Sequence, residues 1–134
     1  MQLIKAETFP VRTAADVVAV RQAVRAWAVE LGFSLVDQTK IVTASSEIAR
    51  NTLDYGGGGT LRLESLSDGV RRGIRLIFED QGPGIPDVER ALKDGYTTGG
   101  GLGLGLGGSR RLVNEFEIET RPGEGTRITL VRWK

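Results

Sequence analysis

The sequence contains no cysteine and no histidine among its 134 residues. The absence of cysteine excludes a disulfide framework, thiolate chemistry and a cysteine metal site. The absence of histidine excludes a histidine general base, a histidine metal ligand and a phosphohistidine acceptor within this chain. Any chemistry that the chain performs must use other side chains or the backbone.

Long apolar runs are also absent. No segment approaches the roughly 20 apolar residues of a membrane-spanning helix, and the first residues, MQLIKAETF, lack a signal-peptide pattern. The net charge is +1 with both signs interspersed, which gives no case for nucleic acid or a membrane as the main partner. We therefore expect a cytoplasmic protein. Hydrophobic residues make up 40% of the chain, so we expect one domain with its own core over residues 1–134.

Local signals predict a β-α-α-β-β-α-β-β order of elements. Thr13 with Asp16, and Ser34 with Asp37, have the spacing of helix-capping pairs, and apolar residues then recur at three- and four-residue steps. This order predicts an α+β fold, a two-layer sandwich with a mixed β-sheet and helices packed on one face. The predicted elements are a strand over 2–9, helices over 14–31 and 35–55, strands over 61–66 and 73–78, at most a short helix over 87–93, a helix over about 104–114, and a hairpin over 116–120 and 126–132.

The most unusual segment is rich in glycine. Seven of the ten residues from Gly99 to Gly108 are glycine, and the other three are leucines. Glycine increases the backbone entropy lost on folding, so such a run is costly unless the backbone must approach a ligand closely. Unshielded N–H groups followed by a helix are typical of phosphate binding. A flexible linker is the alternative, but linkers contain few apolar residues. We therefore interpret the segment as a candidate phosphate loop.

Two common phosphate-binding motifs do not fit this segment. Residues 103–108 match GxGxxG, but the dinucleotide fingerprint should follow a strand directly and lie early in a βαβ unit. Here the match follows a polar loop and precedes a hairpin. A Walker A loop needs GKS or GKT, which the segment lacks. The Rossmann and P-loop interpretations are both rejected.

Three short motifs occur in order on separate predicted elements. Glu47 and Asn51 lie four residues apart on one helix, DQGPGI follows the strand that ends near Asp80, and GLGLGL opens the last helix. Each motif alone is common, and a Glu/Asn pair alone is typical of any solvated helix face. Together they resemble the GHKL ATPase superfamily, whose Bergerat fold is shared by gyrase, Hsp90, histidine kinases and MutL. The resemblance covers residues 12–134, and the closing GEGT at 123–126 resembles the last nucleotide-contacting motif of that superfamily.

The resemblance implies a role for each motif. The Asp80 carboxylate would accept a hydrogen bond from the adenine amine, with Gly82 and Gly84 letting the base lie against the backbone and Ile85 as an apolar wall. Asn51 would bind Mg²⁺, a cation that prefers oxygen ligands. Glu47 would take the proton from the attacking hydroxyl or water. The remaining ATP-binding residues implied by the resemblance are Gly101, Gly103, Leu104, Gly105, Leu106 and Thr126.

The chain is most similar in its motifs to the single-domain branch of the superfamily. Gyrase, Hsp90 and MutL use further domains, and sensor histidine kinases use a helical hairpin that carries histidine. We therefore expect an anti-sigma-factor-type serine/threonine protein kinase of the bacterial stressosome group. Segments 34–42, 55–60, 78–86 and 93–97 carry this resemblance, and Tyr55, where many histidine kinases have histidine, is interpreted as a feature of the branch.

The resemblance also implies cofactors and partners. ATP would be the co-substrate with Mg²⁺, and the phosphoryl acceptors would be serine or threonine hydroxyls on STAS-domain proteins of the stressosome. The free kinase would bind and activate a PP2C-type phosphatase. Two alternatives remain open at this point: a non-catalytic nucleotide-binding module of a partner-switching pathway, and an anti-sigma factor that sequesters a sigma factor directly.

Overall fold

The computed structural model describes residues 1–85, 88, 92 and 105–134. Its elements follow the predicted order. They are β1 (Gln2–Val11), α1 (Ala14–Glu30), α2 (Leu35–Asp54), β2 (Gly59–Ser67), β3 (Arg72–Asp80), α3 (Gly105–Arg111), β4 (Glu115–Arg121) and β5 (Gly125–Trp133). None of the helices within this part of the chain is long and apolar enough to cross a membrane.

The five strands form one sheet in the order β1-β2-β3-β5-β4. The helices and this sheet confirm the predicted α+β sandwich, but the prediction of a mixed sheet is wrong. All four pairings among the described strands are antiparallel. The reason is that α1 and α2 together return the chain to the end of the sheet that β1 has just left. Val11 at the end of β1 therefore pairs with Gly59 at the start of β2.

Both long helices begin at the predicted caps. The Thr13 hydroxyl accepts a hydrogen bond from the Asp16 N–H at 3.1 Å, and the Asp16 carboxylate accepts one from the Thr13 N–H at 3.2 Å. The Ser34 hydroxyl accepts a hydrogen bond from the Asp37 N–H at 3.1 Å. Such caps satisfy backbone donors that a helix start would leave unpaired, at about 1 kcal/mol each.

The hydrophobic core lies between the two long helices and one face of the sheet. The apolar stripe of α1 is buried there from Val17 to Trp27, and the stripe of α2 from Ile41 to Thr52. Tyr55, the C-cap of α2, is 37% exposed. The main core residues are Val20, Val24, Trp27, Ile41, Ala44, Ile48, Leu61, Leu63, Leu76, Phe78 and Leu130.

A charged pair fixes the start of α2 against the sheet. Arg132 of β5 donates from Nη2 to the Asp37 carboxylate at 2.8 Å and from Nη1 to the carbonyl of Leu112 at 3.2 Å. Leu112 follows α3 directly, so one guanidinium group ties α2, α3 and β5 together. This contact holds the helix whose far end carries Glu47 and Asn51.

Candidate nucleotide-binding site

Glu47 and Asn51 lie one turn apart in the last two turns of α2. The helix is anchored by Ile48, which is fully buried, and both polar side chains are half-buried beside it. Within the described part of the chain, neither side chain has a hydrogen bond or an ion pair. A carboxylate and an amide oxygen are therefore presented on one helix face without a structural partner to hold them.

The turn after α2 brings this helix end to the end of β3. The N–H of Gly56 donates to the carbonyl of Asn51 at 3.1 Å, and the N–H of Gly58 donates to that of Thr52 at 2.9 Å. These bonds wrap the chain so closely around the helix end that Gly56 contacts Asp80. A β-carbon at residue 56 would lie 2.3 Å from Asp80 Cγ. The predicted metal ligand and the predicted base contact are thus on adjoining elements.

Asp80 is the last residue of β3, a central strand, with Gly59 and Thr126 as its cross-strand partners. Its Oδ1 accepts a hydrogen bond from the Gly82 N–H at 2.9 Å. Burial raises the pKa of the Asp80 carboxyl above its usual value, and the N–H groups of Gly82 and Thr126 oppose that rise in part. The site therefore holds a partly desolvated carboxylate that still has acceptor capacity.

The DQGPGI turn fits between two neighbouring loops. A β-carbon at Gly82 would lie 2.7 Å from the α-carbon of Gly56. Gly84 has φ +79°, and a β-carbon there would lie 2.4 Å from the carbonyl oxygen of Arg121. Only glycine fits this turn at both positions, because there is no space for a side chain and position 84 is left-handed. The Ile85 that follows is half-buried, and its side chain packs against the core.

Two threonine hydroxyls lie next to Asp80. Thr126 is 8% exposed and pairs across the sheet with Asp80 on one side and Thr120 on the other. The hydroxyl oxygens of Thr120 and Thr126 are 2.9 Å apart, and Thr120 Oγ1 also accepts a hydrogen bond from the Ile85 N–H at 2.9 Å. Thr120 was not predicted as a site residue. The sequence signal for Thr120 was the predicted hairpin, because its strands place residues 120 and 126 opposite each other.

The glycine-rich segment is described only at its end. Gly101, Gly103 and Leu104 lie outside the described residues. The polar loop that precedes this segment also lies outside them, as does most of the short helix predicted over 87–93. Gly105 is the first residue of α3, which begins and ends within the predicted 104–114. The Leu106 side chain is 5% exposed and belongs to the hydrophobic core. Only the backbone of Leu106 is therefore available to a ligand.

A cavity of about 620 Å³ opens beside Asp80. Its volume lies within the range of small-molecule sites, which is roughly 300–1,000 Å³. Its lining comes from the end of β3 and the β4–β5 hairpin. The residues are Glu79, Asp80, Gln81, Ile118, Glu119, Thr120, Arg121, Glu124, Gly125 and Arg127.

The donor set at the end of α2 fits a metal only when the ligand supplies further oxygens. Among the residues that can be described, no group of three or more acidic side chains could hold an ion. Mg²⁺ commonly binds through one or two protein oxygens together with substrate phosphates and water. The unpaired amide oxygen of Asn51, one turn from Glu47, is of that kind. The site residues present therefore fit Mg²⁺ bound together with a nucleotide.

Comparison with known proteins identifies the class. Residues 36–134 match the family of histidine kinase-, DNA gyrase B-, and HSP90-like ATPases, and the chain belongs to this family. It is 49% identical over 118 residues to the serine/threonine-protein kinase RsbT of Bacillus subtilis (strain 168), with 88% of this chain and 89% of that protein covered. It is 29% identical over 119 residues to the anti-sigma F factor of Thermoanaerobacter sp. (strain X514), with 84% and 82% covered.

Solved structures show the same fold. The structure of the RsbU and RsbW domains of Rv1364c from Mycobacterium tuberculosis has a TM-score of 0.65 at 22% identity and covers 98% of this chain and 33% of that one. The mycobacterial sensor histidine kinase MprB has a TM-score of 0.58 at 19% identity and covers 96% and 97%. The family match and the relatives confirm the resemblance drawn from the three motifs. The chain is an ATP-binding serine/threonine protein kinase of the partner-switching type.

Proposed function

We propose that this kinase transfers the γ-phosphoryl group of Mg·ATP to serine or threonine hydroxyls on STAS-domain proteins of a bacterial stressosome pathway. When free, the kinase activates a PP2C-type phosphatase, so that phosphorylation of the first partner releases it to the second. The activity resides in a single domain over 1–134 that acts in the cytoplasm. The observation that carries the catalytic part is the contact of Gly56 with Asp80, since it joins the two halves of the site.

The base of the nucleotide is bound at the end of β3. The Asp80 carboxylate accepts a hydrogen bond from the exocyclic amine, and Thr126 lies beside it as the cross-strand partner. The tight turn through Gly82 and Gly84 leaves backbone rather than side chains next to the base. Ile85 adds an apolar surface. These features support the binding of a purine base that carries an amino group.

The phosphates extend from this position toward the end of α2. Asn51 offers one oxygen ligand to Mg²⁺, which when bound would neutralise charge on the phosphates. Gly101, Gly103, Leu104, Gly105 and Leu106 contribute backbone N–H groups to the phosphates. Glu47, one turn before Asn51, accepts the proton of the attacking hydroxyl. In phosphoryl transfer most of the rate comes from positioning and charge stabilisation, which matches a site built largely from backbone.

The proposed partners rest on the relatives. Identity of 49% across 88% of the chain supports the same kind of activity as the RsbT kinase. The similarity to anti-sigma F factors, at 29% identity, supports a second candidate in which the chain binds a sigma factor directly. Both candidates predict nucleotide binding, so the acceptor protein is what separates them.

The test is phosphoryl transfer to a panel of purified proteins. The chain is incubated with labelled ATP, Mg²⁺ and either STAS-domain proteins, PP2C-type phosphatases or sigma factors, and phosphosites are mapped. We expect label on a serine or threonine of a STAS protein, no label with Asn51→Ala, and activation of a phosphatase by unmodified kinase. Stable capture of a sigma factor without a labelled STAS protein would favour the second candidate and overturn the first.

A further inference from the structure

We propose that Arg132 is a positioning residue for the phosphate end of the site. It acts from the opposite end of the sheet, by joining the two helices whose other ends face the phosphates. This inference rests on the proposed function, because it requires that Asn51 binds Mg²⁺ and that the backbone of Gly105 and Leu106 contacts the phosphates. Arg132 itself does not need to touch the nucleotide.

Arg132 is a charged residue on the face of β5 that otherwise packs into the core. Its cross-strand partner is Ile74, and Leu130, two residues before it, lies on the same face of the sheet. Both of these neighbours are fully buried, and the Arg132 side chain is only 17% exposed. Arginine is rarely buried to this extent unless it is paired. The contacts of the guanidinium group therefore account for its position.

The guanidinium group donates to one acceptor at the end of each of two helices. Nη2 donates to the Asp37 carboxylate in the first turn of α2 at 2.8 Å, and Nη1 donates to the carbonyl of Leu112, directly after α3, at 3.2 Å. The carboxylate lies at the N-terminal end of α2 and the guanidinium at the C-terminal end of α3, so each charge has the favourable sign for its helix. This contact joins the start of α2 to the end of α3.

Both helices lead from this contact toward the phosphate end of the site. From Asp37 to Asn51, α2 extends about 21 Å at 1.5 Å per residue. The shorter α3 begins at Gly105, about 10 Å before the Leu112 carbonyl. A shift of either helix at Arg132 therefore changes the gap between the Asn51 side chain and the backbone of Gly105.

The backbone after α3 has two further hydrogen bonds to β5. The Asn114 N–H donates to the Val131 carbonyl at 2.9 Å, and the Asn114 side chain accepts from the Trp133 N–H at 2.7 Å. These bonds hold the end of α3 against the sheet, but neither of them reaches α2. Arg132 adds α2 to this arrangement and so sets one helix relative to the other.

The Nε atom of Arg132 is buried without a hydrogen-bond partner, and it is the one such side-chain atom in the described part of the chain. A buried donor left unpaired is costly and rare in native structures. The guanidinium group is thus oriented by its two helix contacts and not by complete pairing of its donors. This orientation supports a positioning role.

The experiment compares Mg·ATP with adenosine, which has the base but no phosphates. Calorimetry gives both dissociation constants for the parent chain, Arg132→Met and Arg132→Lys. Arg132→Met keeps an apolar stem and removes both helix contacts. We expect Mg·ATP to bind about five- to tenfold more weakly, while the affinity for adenosine stays within about twofold of the parent value. Arg132→Lys keeps a positive charge beside Asp37 and should recover part of the Mg·ATP affinity.

Asp37→Ala breaks the same contact from α2, so a folding defect in Arg132→Met would not leave the question open. It should reproduce the selective loss of Mg·ATP affinity. The double variant should lose less than the product of the two single losses, because the two side chains act as one unit. Independent losses, or equal losses of Mg·ATP and adenosine binding, would overturn the inference.

Two controls separate positioning from charge and from stability. Arg71→Met removes an ion pair with Asp68 at 3.1 Å at the same end of the sheet, and this ion pair involves neither α2 nor α3. It should leave both affinities unchanged. Val20→Ala makes a cavity in the core, since Val20 is fully buried. It should lower the melting temperature without changing the ratio of the two affinities.

Asn51→Ala tests the proposed function separately. If Asn51→Ala binds Mg·ATP like the parent, the proposed function has misplaced the phosphates, and the inference about Arg132 falls with it. If Asn51→Ala loses Mg·ATP selectively but Arg132→Met and Asp37→Ala keep the parental ratio of affinities, only the present inference is overturned. A lower melting temperature in those two variants would then assign Arg132 a structural role alone.

Discussion

Gly56 lies directly against the carboxyl group of Asp80, so that a β-carbon at residue 56 would approach Asp80 Cγ to 2.3 Å. The two residues are 24 positions apart in the sequence and belong to different parts of the site. Gly56 closes the turn after α2, and Asp80 ends β3. The contact sets the distance between the helix that carries Asn51 and the strand that ends at Asp80. It also leaves one carboxyl edge covered by backbone only.

The first prediction concerns this contact. Gly56→Ala should displace the Asp80 carboxylate or the turn after α2, because the Asp80 side chain leaves no room for a methyl group at residue 56. We expect ATP and adenosine to bind at least tenfold more weakly, since the base end of the site is affected. Calorimetry with both ligands measures this effect.

Gly69→Ala is the matched control for Gly56→Ala. Gly69 lies in the turn between β2 and β3 with φ +91° and open space around it. Its alanine variant should lose stability through backbone strain of about 1 kcal/mol and bind nucleotide normally. Normal adenosine binding by Gly56→Ala would show that the carboxylate does not depend on this contact.

Local parts of the structure could be predicted from the sequence, because their causes are local. The caps at Thr13 and Ser34 and the apolar stripe of α1 each depend on residues within a few turns. The Gly56–Asp80 contact was not predicted, since it depends on how the turn after α2 folds back on the sheet. Thr120 was missed for a similar reason, because its hydroxyl lies at the meeting of β5 and the loop that contains Ile85.

The relative direction of the strands also could not be predicted from local sequence. Hydrophobic alternation marks where a strand lies but contains no information about which way its neighbour runs. The prediction of a mixed sheet was wrong because the pairing of β1 with β2 depends on the path of the two helices between them. Glu47 and Asn51 were assigned through the family resemblance that the three motifs carry together, and their spacing of four residues on one helix fixes their common face without any tertiary information. Their catalytic and metal-binding roles stay predictions.

The second prediction uses the raised pKa of Asp80. A carboxyl group whose pKa is higher in the folded protein favours folding at low pH, and this contribution is lost as the pH rises through the folded value. At neutral pH the parent therefore carries a charge that burial opposes. Asp80→Asn should raise the melting temperature at pH 7, while it weakens ATP binding.

The measurement is thermal unfolding of the parent and Asp80→Asn from pH 7 downward. The gain in melting temperature should shrink as the pH falls toward the usual carboxyl value of 3.8. Asp16→Asn is a less suitable reference because Asp16 caps α1, so Glu117→Gln, an exposed change on β4, serves as the control. A gain that is independent of pH would mean that burial of the charge is not its cause.

The third prediction tests whether Asn51 binds the metal ion or the base of the nucleotide. Asn51→Ala removes the one protein oxygen assigned to Mg²⁺ and should weaken Mg·ATP binding about tenfold or more. Binding of adenosine, which has no phosphates, should be unchanged. Arg50→Ala is the matched control on α2, because Arg50 is exposed and its ion pair with Asp54 is a solvent-exposed i,i+4 contact at 3.7 Å. An equal loss of adenosine binding in Asn51→Ala would place Asn51 at the base instead.

The last prediction concerns catalysis. Glu47→Gln keeps the size of the side chain and removes its ability to take a proton. Because Glu47 has no hydrogen bond or ion pair within the described ranges, the change should leave the melting temperature and Mg·ATP affinity close to those of the parent. Phosphoryl transfer should fall by roughly 10²–10⁴-fold, as expected when a general base is lost. Single-turnover transfer to a saturating acceptor protein measures the chemical step apart from binding. Transfer at the parental rate would remove Glu47 from the reaction, and a large loss of stability would assign it a structural role.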